Sequence, residues 1–273
     1  MRELSNKTVF ILGISSDIGY ELSRLYYQEG YNVIGTYRSK NSFLDALHET
    51  NIDLIQCDIN DLISVKAAIE KYKSGCRPWD IFISSVGVMD PIGNFFKCDF
   101  ATWEQSVIAN SIAQLRFLHG MYPYRCKGEM SHACFFAGGG TNSTFTNYSA
   151  YCVSKIMLIK MCELLDDEND DLNVFIVGPG WVKTKIHEQT FKNSINAGIN
   201  YQRTVEFLNS DITGTPTRDI YDCIKWCIDQ GKLIASGRNF SVVNDKWRQG
   251  GKELAEQLCC DPNKFKLRRS GNS

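Results

Sequence analysis

Tyr151 and Lys155 stand four residues apart in Ser149-Ala-Tyr-Cys-Val-Ser-Lys155. In a helix, side chains at i and i+4 project from one face, about one turn apart. A phenol with a pKa near ~10 is a poor proton shuttle at neutral pH. A neighbouring ammonium is expected to stabilise the phenolate and lower that pKa. Such a tyrosine can give a proton to a carbonyl oxygen, or take one from an alcohol, while the carbon gains or loses hydride. The same spacing also arises on ordinary surface helices, so the pair takes its meaning from what surrounds it.

A second group lies near the start of the chain. Gly13-Ile-Ser-Ser-Asp-Ile-Gly19 directly follows a short apolar run and opens a helical pattern. That context is what gives a glycine motif meaning. Gly13 permits a tight turn, and Gly19 lets the helix approach the strand. Ser15, Ser16, Asp17 and Ile18 would then lie at a helix N-terminus, whose free N–H groups and positive dipole attract a pyrophosphate. A plain strand–turn–helix corner is the alternative. The next apolar run ends Val33-Ile-Gly-Thr-Tyr-Arg38-Ser39. In dinucleotide-binding folds an acid at this point accepts from a ribose 2′-hydroxyl, and a base suits a 2′-phosphate. Positions 31–41 hold no Asp or Glu, but they hold Arg38 and Lys40. Either these are surface charges beyond a strand, or the cofactor is NADP, with NADPH preferred to NADH.

These groups need a scaffold. Short apolar runs at 7–12, 31–36, 52–56, 80–85, 132–136, 173–177 and 238–243 read as strands, and longer patterns at 18–29, 62–73, 100–119, 149–166 and 217–230 read as helices. Strands separated by helices imply βαβ units and a parallel sheet covered on both faces. The expected fold is an α/β doubly wound parallel sheet of the Rossmann type, with about seven strands and helices on both faces. A single domain over 1–273 suits this length. The stretch 185–215 has weak periodicity and many polar residues, as a lid or binding loop would. The tail, with Lys264, Lys266, Arg268 and Arg269 before Ser-Gly-Asn-Ser, reads as a frayed, solvated and flexible terminus.

In order and spacing, these motifs resemble those of the short-chain dehydrogenase/reductase family. The glycine turn is similar to the family's Gly-xxx-Gly-x-Gly segment, with Asp17 where the middle glycine usually stands. Asp17 either caps the helix with its carboxylate or sets an acid near phosphate. The resemblance implies that Tyr151 and Lys155 are catalytic and also contact the cofactor, whereas Tyr148 has the wrong spacing. Asn110, seven residues after Trp103, resembles the family's asparagine that helps hold a water chain to the lysine. Asp58, followed by Ile59, resembles the acid that contacts adenine. Ser84-Ser85-Val86-Gly87 stands where Asn-Asn-Ala-Gly is usual, which would bring Ser85, Val86 and Gly87 close to the cofactor. Pro179-Gly180-Trp-Val182-Lys-Thr184 matches the Pro-Gly-x-Val-x-Thr loop that runs under the nicotinamide. Val182 would then reach the carboxamide through its backbone, and Thr184 would lie near the phosphates. One family part is absent. A serine usually stands about thirteen residues before the tyrosine, but positions 137 and 138 are Ala and Gly. Thr141 and Ser143 are the nearest hydroxyls, and Ser143 is the preferred replacement.

The implied activity is NAD(P)-dependent interconversion of a carbonyl and a secondary alcohol. The stretch 236–247 resembles members associated with sugar and surface-polysaccharide enzymes, which implies a sugar or nucleotide-sugar substrate. The alternatives are a sugar-nucleotide epimerase or dehydratase that retains its cofactor, and a catalytically decayed NADP-binding regulatory protein. Relatives of this kind form homodimers or homotetramers. The formal net charge of −1 offers no electrostatic footprint for nucleic acid. With 43% hydrophobic and 22% charged residues, the composition argues against disorder. Eleven cysteines without a CxxC pair read as reduced, small apolar residues, and four scattered histidines predict no metal site. The first apolar run is too short for a signal peptide, and none reaches the length of a membrane span, so a cytoplasmic protein is expected.

Overall fold

The computed structural model describes residues 2–75, 77–211 and 213–269. β1 (Thr8–Leu12) is buried along its whole length, as a central parallel strand covered on both faces must be. Its alternating side chains feed two cores. Val9 and Ile11 pack with Leu22, Tyr26 and Ile224 on one face. Phe10 and Leu12 pack with Val65, Phe117 and Leu158 on the other.

After β1 the chain turns at Gly13, whose φ is +85°, into α1 (Asp17–Gln28). Gly19, Leu22, Ser23 and Tyr26 form the buried stripe of α1, the spacing of one helical face. Ser16 caps this helix, its Oγ accepting from the Gly19 N–H at 3.0 Å. Of the two roles open to Asp17, the cap is therefore filled by Ser16. The Asp17 carboxylate instead accepts from the N–H of Lys185, 3.0 Å away.

The remaining elements are β2 (Asn32–Tyr37), α2 (Ser42–His48), β3 (Asp53–Gln56), α3 (Leu62–Ser74), β4 (Ile81–Ser84), α4 (Phe100–Val107), α5 (Ala113–Met121), β5 (Ser131–Phe136), α6 (Ser149–Glu168), β6 (Leu172–Gly178), α7 (His187–Lys192), α8 (Ser194–Ala197), α9 (Ile199–Asn209), α10 (Thr217–Ala235), β7 (Asn239–Ser241) and α11 (Gly251–Cys260). Seven parallel strands form one sheet in the order β3-β2-β1-β4-β5-β6-β7. The strand order reverses between β1 and β4, and the crevice beyond the C-terminal ends of these strands is where such folds hold ligands.

Three differences from the sequence expectation bear on the site. The helix expected over 100–119 is not continuous: a π turn (Ile108–Ile112) joins α4 to α5. The stretch 185–215 is not an irregular loop, because α7, α8 and α9 fall within it. The tail is not frayed as far as it is described. Arg238 is buried and donates to the carbonyls of Leu258, Asp261 and Lys264, Phe265 packs edge-on against Phe240, and Arg268 pairs with Glu163 at 2.7 Å. The expected flexibility of Ser270 to Ser273 lies outside the described residues. Cys259 and Cys260 are exposed, unlike Cys134 and Cys162 in the cores. Among the described residues, no helix is long and apolar enough to cross a membrane.

Candidate active site

A cavity of about 980 Å³ is lined by the segments that follow β1, β2, β4, β5 and β6. The turn after β1 contributes Ser15 to Ile18, and the end of β2 contributes Arg38. Ser85, Val86 and Gly87 follow from β4, Tyr151 and Lys155 come from α6, and Pro179, Gly180, Val182 and Thr184 come from the loop after β6. Five expected residues lie outside the lining. Gly13 and Gly19 sit beneath the turn. A Cβ on Gly19 would meet the Gly13 carbonyl at 2.4 Å, so only glycine lets helix and strand approach this closely. Asp58 and Ile59 are turned to local structure, with the Asp58 carboxylate accepting from the Asn60 N–H. Asn110 stands behind Val88.

Ser85 is the brace of the glycine turn. Its Oγ donates to the Gly13 carbonyl at 2.9 Å and accepts from Ser16 Oγ at 3.1 Å. At the start of α1, the N–H groups of Asp17 and Ile18 have no acceptor among the described residues. Arg38 is exposed and makes no ion pair with them.

Asn110 occupies the π turn and grips the chain leaving β4. Its Oδ1 accepts from Val88 N–H at 2.9 Å, and its Nδ2 donates to the Val88 carbonyl at 2.8 Å. The wider π turn leaves main-chain carbonyls without their usual donors. The Gln114 side-chain amide supplies one, reaching the carbonyls of Ala109 and Asn110 at 3.2 and 2.8 Å. Ser84 Oγ holds the other end of Gln114 at 2.7 Å. Ser84, at the first position of the altered Ser-Ser-Val-Gly segment, therefore ties β4 to the π turn.

Tyr151 is 7% exposed and Lys155 is 3% exposed. The Lys155 ammonium lies 5.7 Å from the centre of the Tyr151 ring. Burial lowers the Lys155 pKa from 10.5 to about 8. The expected lowering of the Tyr151 pKa is corrected: it is raised, first by burial and then by the nearby Cys152. Removal from water disfavours the phenolate, and burial outweighs the neighbouring ammonium. Tyr148 is committed elsewhere, its hydroxyl 2.9 Å from Thr190 Oγ1 on α7.

Helices α7 and α9 line one side of the cavity. Gln189 Oε1 accepts from the N–H groups of both Met89 and Asp90, and Asn193 donates to Asp90 at 2.9 Å. Asn200 donates to the Thr146 carbonyl at 3.0 Å, and Asn147 donates to the Asn196 carbonyl at 2.7 Å. Val182 bridges Gly214, and Thr215 N–H donates to the Trp181 carbonyl at 2.7 Å, so the segments flanking α7 to α9 are held together. Trp181 stacks on His187, whose Nε2 donates to the Val182 carbonyl. Sequence reasoning missed Met89, Phe145, Ile186 and Gln189, which line the chamber beside the tyrosine. The only sequence signal was the run of amides at Gln189, Asn193 and Asn200.

A doubly wound sheet with a glycine turn, a tyrosine–lysine pair and a covered chamber defines a nucleotide-dependent enzyme class, and sequence comparison gives its family. The profile described as short chain dehydrogenase matches residues 7–195. The chain belongs to this family and is an oxidoreductase. It is 26% identical over 263 residues to secoisolariciresinol dehydrogenase of Forsythia intermedia, covering 89% of this chain and 92% of that protein. It is 22% identical over 223 residues to the NADP-dependent 3-hydroxy acid dehydrogenase of Schizosaccharomyces pombe, covering 77% and 85%. Among solved structures, a short chain dehydrogenase of Shigella flexneri 2a, complexed with NADP, superposes with a TM-score of 0.72 at 18% identity, covering 88% of this chain and 98% of that one.

Proposed function

We propose that this chain is a single-domain, NADPH-preferring reductase or dehydrogenase that interconverts a carbonyl and a secondary alcohol, with Tyr151 as the proton donor and acceptor. The observation that carries the reading is the convergence of Tyr151, Lys155, the free N–H groups of α1 and the unpaired Arg38 on one cavity. These residues fit a nicotinamide dinucleotide. The α1 N–H groups would hold its pyrophosphate, and Arg38 would hold a 2′-phosphate. The loop from Pro179 to Thr184 would pass beneath the nicotinamide. When bound, the cofactor supplies or accepts hydride at the substrate carbon.

The protein's own part is proton placement. The buried Tyr151 stays protonated and is ready to donate to a carbonyl oxygen. The Lys155 ammonium favours the phenolate that donation leaves behind. Asn110 acts as a positioning residue, fixing Val88 and with it one wall of the chamber. The test is consumption of NADPH with a panel of ketones and aldehydes, repeated with Tyr151→Phe and Tyr148→Phe. Tyr151→Phe should lower turnover by about 10²–10⁴-fold with NADPH affinity unchanged, while Tyr148→Phe should stay active. Full activity in Tyr151→Phe would refute the assignment.

A further inference from the structure

Gly138 stands where the family resemblance calls for a serine. A Cβ on Gly138 would lie 2.2 Å from the Tyr151 hydroxyl oxygen and 2.5 Å from two of its ring carbons. Nothing in a packed interior tolerates such contacts, so Tyr151 can occupy its place only because residue 138 has no side chain. Thr141 and Ser143 also line the cavity, but neither is hydrogen-bonded to the Tyr151 hydroxyl. Thr141 Oγ1 is turned onto the Gly138 carbonyl at 3.2 Å, and Ser143 is exposed.

The N–H groups of the glycine turn are placed differently. Gly138, Gly139 and Gly140 all line the cavity, and among the described residues none of their N–H groups has an acceptor. The Ala137 N–H donates to Val177 of β6 at 3.0 Å. Alternation along an extended chain turns the next N–H, that of Gly138, towards the β4 side, and β4 has already ended at Ser84. The Gly138 carbonyl faces Thr141. In a trans peptide the Gly139 N–H points the opposite way. Gly140 has a φ of +86°, the left-handed conformation that gathers successive N–H groups into an anion-holding concavity.

We infer that the N–H groups of Gly138 and Gly139 form a backbone oxyanion hole beside Tyr151, in place of a serine hydroxyl. The inference rests on the carbonyl–alcohol reading of this site. In reduction, hydride from a reduced nicotinamide adds to the carbonyl carbon, and the π pair moves onto oxygen. That oxygen then takes the phenolic proton of Tyr151. Donors already aimed at the oxygen stabilise its developing charge at no cost in reorganisation.

Glycolic acid installed at position 138 or 139 by nonsense suppression replaces one N–H with an ester oxygen and adds no side chain. At least one ester should lower kcat by about 10²-fold with NADPH affinity unchanged; parent kcat in both esters would overturn the inference. Ser143→Ala should keep the parent kcat, and a comparable loss there would assign the role to that hydroxyl instead. Gly138→Ser tests the seat of the tyrosine without relying on turnover. With ¹³Cζ-labelled tyrosine, assigned through Tyr151→Phe, the displaced phenol should titrate at lower pH than in the parent. An unchanged titration, or a faster Gly138→Ser enzyme, overturns the argument. If the unmodified protein binds NADPH yet reduces no carbonyl, the proposed function fails, and that outcome is distinct from failure of the ester variants alone.

Discussion

Lys155→Met separates what the ammonium does for chemistry from what it does to stability. Lys155 is almost completely buried, and among the described residues its ammonium has no hydrogen-bond or ion-pair partner. Burying an uncompensated charge opposes folding. The displacement of its pKa from 10.5 to about 8 corresponds to about 3 kcal/mol against the charged form. Methionine approximates the volume of the lysine stem and carries no charge, so the variant should recover much of that energy. For a chain of this size about 1 kcal/mol is worth about 2 °C, so Tm at pH 7 should rise by about 6 °C while turnover collapses. The pH dependence has a definite sign. Below about 8 both folded and unfolded chains carry the proton, and the full penalty is present. Between about 8 and 10.5 the unfolded chain binds more protons, so parent stability rises with pH relative to the variant. Scanning calorimetry of both proteins from pH 7 to 10.5 should show the gap in Tm narrowing. A variant less stable than the parent at pH 7, or a gap independent of pH, would refute the reasoning.

Two other perturbations test the cofactor and lid assignments. Arg38→Ala should weaken NADPH binding by about 1–3 kcal/mol and leave NADH binding unchanged, as read by fluorescence titration; equal parent affinities for the two cofactors would remove the argument. Gln189→Leu leaves the N–H groups of Met89 and Asp90 without their acceptor, a loss of about 2 kcal/mol in lid attachment. It should raise KM for substrate and speed proteolysis within 187–209 without changing NADPH affinity, and an unaltered cleavage rate would show that the roof is held by other contacts.

What could be read from the sequence was local in the chain. Tyr151 and Lys155 lie on one helix, the glycine turn is seven residues long, and each strand is a single apolar run, so each declares itself within a short window. Helices α7 to α9 did not, because apart from Ala197 their buried positions are the polar His187, Thr190, Asn200 and Thr204. A search for hydrophobic periodicity sees a polar loop there. The π turn is invisible for a related reason, since one extra residue in a helical turn leaves no compositional mark. Arg238 read only as the first residue of the strand run 238–243, and only the fold brings the end of α11 to its guanidinium. The Tyr151 pKa went in the opposite direction to expectation because spacing along a helix gives the neighbour but not the depth of burial.

The same distinction explains how the altered motifs coexist with an ordered site. Ser84 and Ser85 replace the family's asparagines, and each hydroxyl has a defined structural task. Ser85 holds the glycine turn through Gly13 and Ser16, and Ser84 holds Gln114 against the π turn. Through Gln114 and Asn110, that second contact reaches Val88, which lines the chamber beside Gly87. Chain decay would leave buried polar groups without partners, each costing about 1–3 kcal/mol. Here Ser84, Gln114 and Asn110 are all buried and all hydrogen-bonded. The two serines of the motif are therefore fully built into the hydrogen-bonding around it, and this argues for a site in working order.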